Sequence, residues 1–366
     1  MTLRFSALSL FCLALLIVLI YPSCNKEEND PTTPNTALNK IPLAKLSDYR
    51  FFTGNIAELN PNEGVLPYDL NSPLFSDYAE KARFVWLPEG TSATYHESEA
   101  FDFPVGAIII KTFYYDNDKT DPSKGRRIIE TRLLVRHADK WQPYDYIWNE
   151  EQTEAGYSVV GMSVPVEWVN ENGQTQQAEF LIPNKNECKG CHSYDGKFVP
   201  IGPKARHLNK DFNYPDGTMN QLEKWTAKGY LNSAPSNLTA IPKAPVWNDP
   251  LSGSLDLRAR AYLDINCGHC HNYDGPANTS GLSLTWSETN DFALGICKPP
   301  IAAGQGSGGF LYGIVPGKPE ESILIYRMNS TLLDVAMPEL GRSVIHSEGL
   351  QLISDWIASM PPVSCQ

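Results

Sequence analysis

The sequence predicts an α+β multidomain chain: an N-terminal β-sandwich-like domain followed by two mostly α-helical modules. Three observations predict it. Residues 45–183 hold no cysteine and read as short strands; two cysteine motifs, beginning at positions 188 and 267, recur beyond them; and the second is flanked by helical periodicity. With 366 residues, 42% hydrophobic and 11% aromatic, the chain has apolar material for two or three cores and is not disordered as a whole. Its 30 Lys and Arg against 42 Asp and Glu give a net charge of −12, which repels a phosphate backbone and excludes nucleic acid as a partner.

Taken in order, Arg4 precedes an almost wholly apolar run from Phe5 to Tyr21, and Pro22-Ser23-Cys24 follows. The run is short for a membrane span, so residues 1–23 are expected to be a secretory signal rather than a signal anchor. Tyr21 to Cys24 resembles the lipobox of bacterial lipoproteins, which makes Cys24 the expected lipidation site and a lipid anchor the only membrane contact. Asn25-Lys26-Glu27-Glu28-Asn29-Asp30 resembles a Lys-then-acidic outer-membrane export signal, and reads equally as a solvated charged linker. Residues 24–44, rich in Pro, Thr and Asn, are expected to form a flexible tether.

In residues 45–183, strand-like runs at Ala107 to Ile110, Ile128 to Val135, Trp141 to Trp148 and Gln174 to Ile182 are separated by Gly, Asn and Asp turns. Short aromatic-rich strands over such a length predict a β-sandwich. His96 and His137 are too far apart to argue a metal site and read as strand-surface residues.

Cys188-Lys189-Gly190-Cys191-His192 and Cys267-Gly268-His269-Cys270-His271 both read C-x-x-C-H. Two thiols three residues apart on one turn can form thioethers to both vinyl groups of a porphyrin, and the adjacent histidine then offers a nitrogen to the iron; this is the attachment signature of haem c. A zinc site of four cysteines, or a redox dithiol, would leave both histidines unexplained. The trailing residues also match, Ser193-Tyr194-Asp195-Gly196 against Asn272-Tyr273-Asp274-Gly275, as expected of a duplicated module. Two covalently attached haems are therefore expected, on a first module at 184–250 and a second at 251–366, with His192 and His271 as iron ligands.

In the second module a helix is expected over Leu255 to Asn266, delivering Cys267, and another where Leu350, Ile353, Ile357 and Met360 repeat before Pro361-Pro362. The layout resembles small monohaem cytochromes c, in which a methionine from the loop before the last helix binds the far side of the iron. Met337 occupies that place; Met328 is its rival, and either reads alternatively as a core gap-filler. His269 reads as a spacer and His346 as a pocket or surface residue. In the first module a helix is expected over Met219 to Tyr230, and the sixth iron ligand stays open between His207, Met219 and none.

Over nearly the whole chain after the tether, the sequence resembles an uncharacterised family of bacterial di-haem c-type cytochromes, secreted or lipid-anchored. The strings that carry the resemblance include Pro73-Leu74-Phe75-Ser76-Asp77-Tyr78, Ile201-Gly202-Pro203-Lys204-Ala205-Arg206 and Met337-Pro338-Glu339-Leu340-Gly341-Arg342. The resemblance implies haem binding at Cys188, Cys191, His192, Cys267, Cys270 and His271, and electron transfer, without implying a substrate.

Cys297 and Cys365 remain, and in an oxidising compartment they are expected to pair. Gly304 to Gly309 lacks the ending of a phosphate loop and reads as a flexible loop. Together these readings predict a di-haem electron carrier lipid-anchored to the outer membrane, on its periplasmic or surface face, exchanging electrons with redox partner proteins. The rivals are a haem-dependent oxidoreductase, either a di-haem peroxidase-like enzyme or a dehydrogenase subunit, and a surface ligand-binding module with accessory haems.

Overall fold

The computed structural model describes residues 33–301 and 303–366. The expected signal segment and Cys24 lie outside the described residues. Nine strands lead the chain: β1 (Val65–Tyr68), β2 (Glu80–Trp86), β3 (Ala93–Thr94), β4 (Ile108–Asp116), β5 (Arg126–Arg136), β6 (Trp141–Trp148), β7 (Ala155–Ser158), β8 (Met162–Val169) and β9 (Thr175–Ile182). Six of them form one antiparallel sheet in the order β1-β2-β4-β5-β6-β7, and β8 and β9 make a separate hairpin. The α-helices follow: α1 (Lys185–Cys191), α2 (Ala205–Leu208), α3 (Gln221–Ala227), α4 (Leu255–Leu263), α5 (Ile323–Met328) and α6 (Ser347–Ala358).

This corrects the expected fold class. The molecule is mostly β, its described helices are short, and the C-terminal half is not a pair of helical haem modules. Between 184 and 250, helices of 7, 4 and 7 residues alternate with hairpins. Nor is the β region a sandwich of two comparable sheets. One face of the large sheet is covered by irregular chain, with Leu46, Tyr49, Phe51 and Phe52 packed on Ile108, Ile110, Leu133 and Tyr146. Residues 38–43, within the expected tether, belong to that cover: Leu38, Ile41 and Leu43 pack against it, and the Leu43 carbonyl accepts from the Tyr146 hydroxyl at 2.9 Å.

The opposite face is covered twice. At one end Val85, Ile109 and Leu134 meet Leu208, Leu222 and Trp225; at the other, Phe113 and Tyr115 meet Val166, Trp168 and Phe180 of the β8–β9 hairpin. The expected boundary at 183/184 therefore crosses a shared core. Met219 begins no helix; it lies on the hairpin strand Gly217–Asn220, and α3 starts after Asn220, whose side chain accepts from Leu222 N.

In residues 251–366, α4 and α6 pack through Ala259, Leu263, Leu352, Ile353 and Ile357. The helix expected to reach residue 266 stops at Leu263 and continues as a π-helical turn, Asp264–Gly268, that carries Cys267. Cys297 and Cys365 are joined in a disulfide that closes 68 residues. Among the described residues no helix is long and apolar enough to cross a membrane.

A buried ion pair joins the parts. Arg206 on α2 donates from Nε and Nη2 to the Asp264 carboxylate at 2.9 Å, and its Nη1 donates to the Ser98 carbonyl of the β region. Asp264 also accepts from His207 Nε2 at 3.2 Å and Trp286 N at 2.9 Å. Burial alone would raise its pKa; the His207 hydrogen bond and the Arg206 charge outweigh that and hold it far below the usual carboxylate range. Replacing Asp264 by Asn strands the Arg206 charge and should cost about 3–5 kcal/mol in urea denaturation. A depressed carboxyl stabilises above its unfolded pKa of about 3.9, and that contribution is lost as pH falls toward the folded value. The gap between wild type and Asp264→Asn should therefore narrow below about pH 4.

Candidate cofactor site

The first motif is placed by the end of β9. Pro183 stops the strand, and Asn184 closes a capping box in which its side chain accepts from Asn186 N and Glu187 N while Glu187 accepts from Asn184 N at 2.7 Å. Helix α1 then runs for seven residues, with Cys188 and Cys191 three apart and His192 at its C-cap. The His192 ring lies flat on Phe198 at 4.8 Å, and its Nδ1 is 2.8 Å from the Val199 carbonyl. A carbonyl only accepts, so Nδ1 carries the proton and the Nε2 lone pair is left to a ligand.

The second motif repeats this logic with different parts. Cys270 N and His271 N both bond Cys267 O, at 3.1 and 2.8 Å, curling the motif into one turn. His271 Nδ1 is 3.1 Å from Ser280 Oγ, whose own proton goes to Ala277 O at 2.7 Å. Ser280 thus accepts, and His271 again presents the Nε2 lone pair. Burial lowers both histidines to about 4, so both imidazoles are neutral at neutral pH, the form that binds a metal.

Cys267, Cys270 and His271 form one wall of a cleft of about 580 Å³ whose other walls include Leu284, Leu294, Ile314, Met328 and Met337. That size and apolar lining suit a flat hydrophobic cofactor. The Met337 backbone is fixed at both ends: its N–H donates to Arg327 O at 3.1 Å and its carbonyl accepts from Arg342 Nη2 at 2.9 Å. Met328 also reaches the cleft from the end of α5 and is 8% exposed, so the structure brings both thioethers to it.

Asp77 locks this loop to the β region. Its buried carboxylate accepts from Ser343 N at 2.7 and 2.9 Å and from Val344 N at 3.0 Å. Phe75 N donates to Asn266 Oδ1 at 2.8 Å, immediately before Cys267, so residues 75–77 grip both walls of the cleft. Burial, resisted by those N–H groups, raises the pKa of Asp77.

The two motifs touch. Donor atoms of Cys191, His269 and Cys270 lie within 4.8 Å of one another, Cys270 Sγ is 3.4 Å from Gly190 O, and Asp195 N donates to Asp274 O at 2.9 Å. Cys191 with Cys270 and Asp195 with Asp274 are equivalent positions of the repeat. Cys188 lies instead within electrostatic reach of Arg132 and Asp145, and Cys267 lines the cleft. The four thiols therefore do not converge as a four-cysteine zinc site requires; Cys191 meets Cys270 and lines the same cleft as Cys267, while Cys188 stands apart.

The remaining candidates are elsewhere. His207 is fully buried against Asp264, and Met219 is 39% exposed on its hairpin. His346 is a packing residue, stacked on Phe75 at 4.1 Å and bonded through Nδ1 to the Tyr262 hydroxyl at 2.9 Å. His137 meets the Tyr144 hydroxyl at 3.0 Å, and His96 caps Glu99 N at 2.9 Å. Gly304–Ser307 is a turn of 3-10 helix; a Cβ on Gly306 would sit 2.9 Å from the Arg327 guanidinium. The residues that spacing did not reveal are Asp77 and Arg342, although both fall inside strings that carried the family resemblance.

No family model, curated protein or solved structure matches the chain. Asp77→Ala should lower stability by about 1.5–3 kcal/mol in urea titration, the range for a hydrogen-bonded charge, with Asp77→Asn in between because its amide oxygen still accepts.

Proposed function

We propose that the chain is a di-haem c-type electron-transfer protein, exported and lipid-anchored through Cys24 to the outer membrane. The observation that carries this reading is the cleft, with the Cys267, Cys270 and His271 attachment set on one wall and the Met337 thioether among the others. A haem bound there supplies a one-electron ferric/ferrous couple. The chain's own residues do the rest. Cys267 and Cys270 would tether the group, His271, oriented by Ser280, would offer Nε2 to its iron, Met337 would offer a soft sulfur, and the aliphatic walls would exclude water.

The first attachment set is Cys188, Cys191 and His192, with Val199 aiming the imidazole. Contact between Cys191 and Cys270 supports relay between adjacent centres rather than two isolated sites. Redox partners are proteins, met at the envelope. The reading does not need the helical fold of small cytochromes, since attachment is local to each motif.

A haem-dependent oxidoreductase gains support from one observation: of the two candidates for the first centre's sixth ligand, His207 is engaged by Asp264 and Met219 is exposed on a hairpin. Cyanide or peroxide added to the ferric protein separates the readings, because a relay leaves both centres unchanged and an enzyme shows one high-spin centre that responds.

The pyridine haemochrome assay on the secreted protein should give two covalent haems per chain, and Cys188→Ser/Cys191→Ser should give one. A bare polypeptide mass would end the proposal. Met337→Ala should abolish methionine ligation at one centre and leave the other spectrum intact, while Met328→Ala should cost about 2–5 kcal/mol of stability without changing ligation.

A further inference from the structure

The second-cover face of the large sheet is apolar at both ends and charged across its middle. Arg83 on β2, Lys111 on β4, Arg132 on β5 and Asp145 on β6 are direct cross-strand partners. Three cations thus stand in a row, one strand spacing of about 4.8 Å apart, and like charges placed opposite one another destabilise a sheet. Lys81, two residues before Arg83, adds a fourth.

Part of this charge is compensated. Asp69 meets Arg83 at 2.7 Å, and Glu130, which is fully buried, takes Arg132 through both oxygens. Lys81 and Lys111 have no carboxylate within ion-pair distance among the described residues; Lys111 Nζ rests 4.6 Å over the Phe113 ring. Burial, with the neighbouring guanidiniums next, lowers Lys81 to about 7 and Lys111 well below its ordinary value. Both residues keep part of their surface accessible. Two lysines without a carboxylate, set by strand register beside two guanidiniums, make a position that an anion would complete.

The row faces the first motif. Arg132 and Asp145 are within electrostatic reach of the Cys188 thiol, Lys111 is within reach of the His192 ring, and Asp145 Oδ1 is buried without a partner. Counting strands from Arg132, which is within electrostatic reach of Cys188, Lys111 is about 5 Å and Arg83 about 10 Å farther across the sheet. That span is comparable to a porphyrin's width from its vinyl edge to its propionate edge.

We propose that Lys111 and Lys81, backed by Arg83, form a carboxylate-binding wall that takes the propionates of the haem held by Cys188, Cys191 and His192. This rests on the di-haem reading above and adds the wall to it. The thioether edge is fixed on α1, and the carboxylate edge is met by the ammoniums across the sheet, which neutralises charge on both sides.

The test uses the secreted holoprotein, with covalent haem counted first, so that a haem-free wild type overturns the di-haem reading itself. Lys111→Met, Lys81→Met and the charge-keeping Lys111→Arg are then compared by potentiometric titration and visible absorption, with and without sodium acetate. All variants should keep two haems. In the Met variants the reduction equilibrium of one centre should fall about threefold to tenfold, tenfold being 59 mV for a one-electron couple, with the other centre unmoved. Lys111→Arg should restore it, and acetate should leave the wild type unchanged. Two unmoved potentials in both Met variants overturn the wall. So does loss of a low-spin centre in either, which makes that lysine an iron ligand, and so does an acetate-induced shift in the wild type, which makes the site one for a free anion.

Discussion

The Arg206–Asp264 ion pair is the constraint on which the arrangement depends. It is buried on both sides, with side chains 5% and 4% exposed, and it draws on three separate stretches of chain. Arg206 reaches Ser98 in the β region, while Asp264 sits three residues before Cys267 and holds Trp286 N. Isolated from its partners, such a pair is poor evidence for stability, because desolvating two charges costs about as much as their attraction returns. Its value here is positional. Only one docking of α2 against the π-helical turn satisfies both charges, and every other docking leaves an ion in an apolar interior, so the second cysteine motif is held at a fixed place against the sheet region.

A second lock works at the opposite wall of the cleft. Asp77 is drawn into the loop that follows Met337, and Arg342 closes that loop with bonds to Ser330 O at 2.7 Å and Met337 O at 2.9 Å. The β region therefore determines the separation of the cleft walls, through Asn266 on one side and Ser343 on the other. The Met337 backbone is thereby held at both its N–H and its carbonyl, which fixes where its side chain leaves the main chain at the cleft.

Much of this was legible only where the signal is local. Strand runs at 128–135, 141–148 and 174–182 coincide with β5, β6 and β9 because alternation and turn residues lie within each run. The cysteine motifs are visible as strings for the same reason, and each lies on a single local turn. What covers the sheet is not. Trp225 and Leu208 pack on Ile109 and Leu134 across about a hundred residues of sequence, and no periodicity in residues 205–241 marks them as a lid on a sheet. The helix expected from Met219 failed because Asn220 prefers to cap, so a strand ends where a longer helix was read. The cationic row was equally hidden, since Arg83, Lys111 and Arg132 become neighbours only through strand register.

The repeat adds a last step. Equivalent residues Cys191 and Cys270 meet, as do Asp195 and Asp274, which is how two copies related by a two-fold axis touch. Their surroundings do not share that symmetry. One motif lies against a charged band between two aromatic cores; the other opens into an aliphatic cleft with two methionines. On the di-haem reading proposed above, dielectric and local charge, two of the levers by which a protein sets a bound iron's potential, would differ between two sites built on the same five-residue string. Two such centres would then have a downhill direction between them, and the sheet, through its cationic row and through Asp77, is the part of the molecule that makes the surroundings of the two motifs unlike.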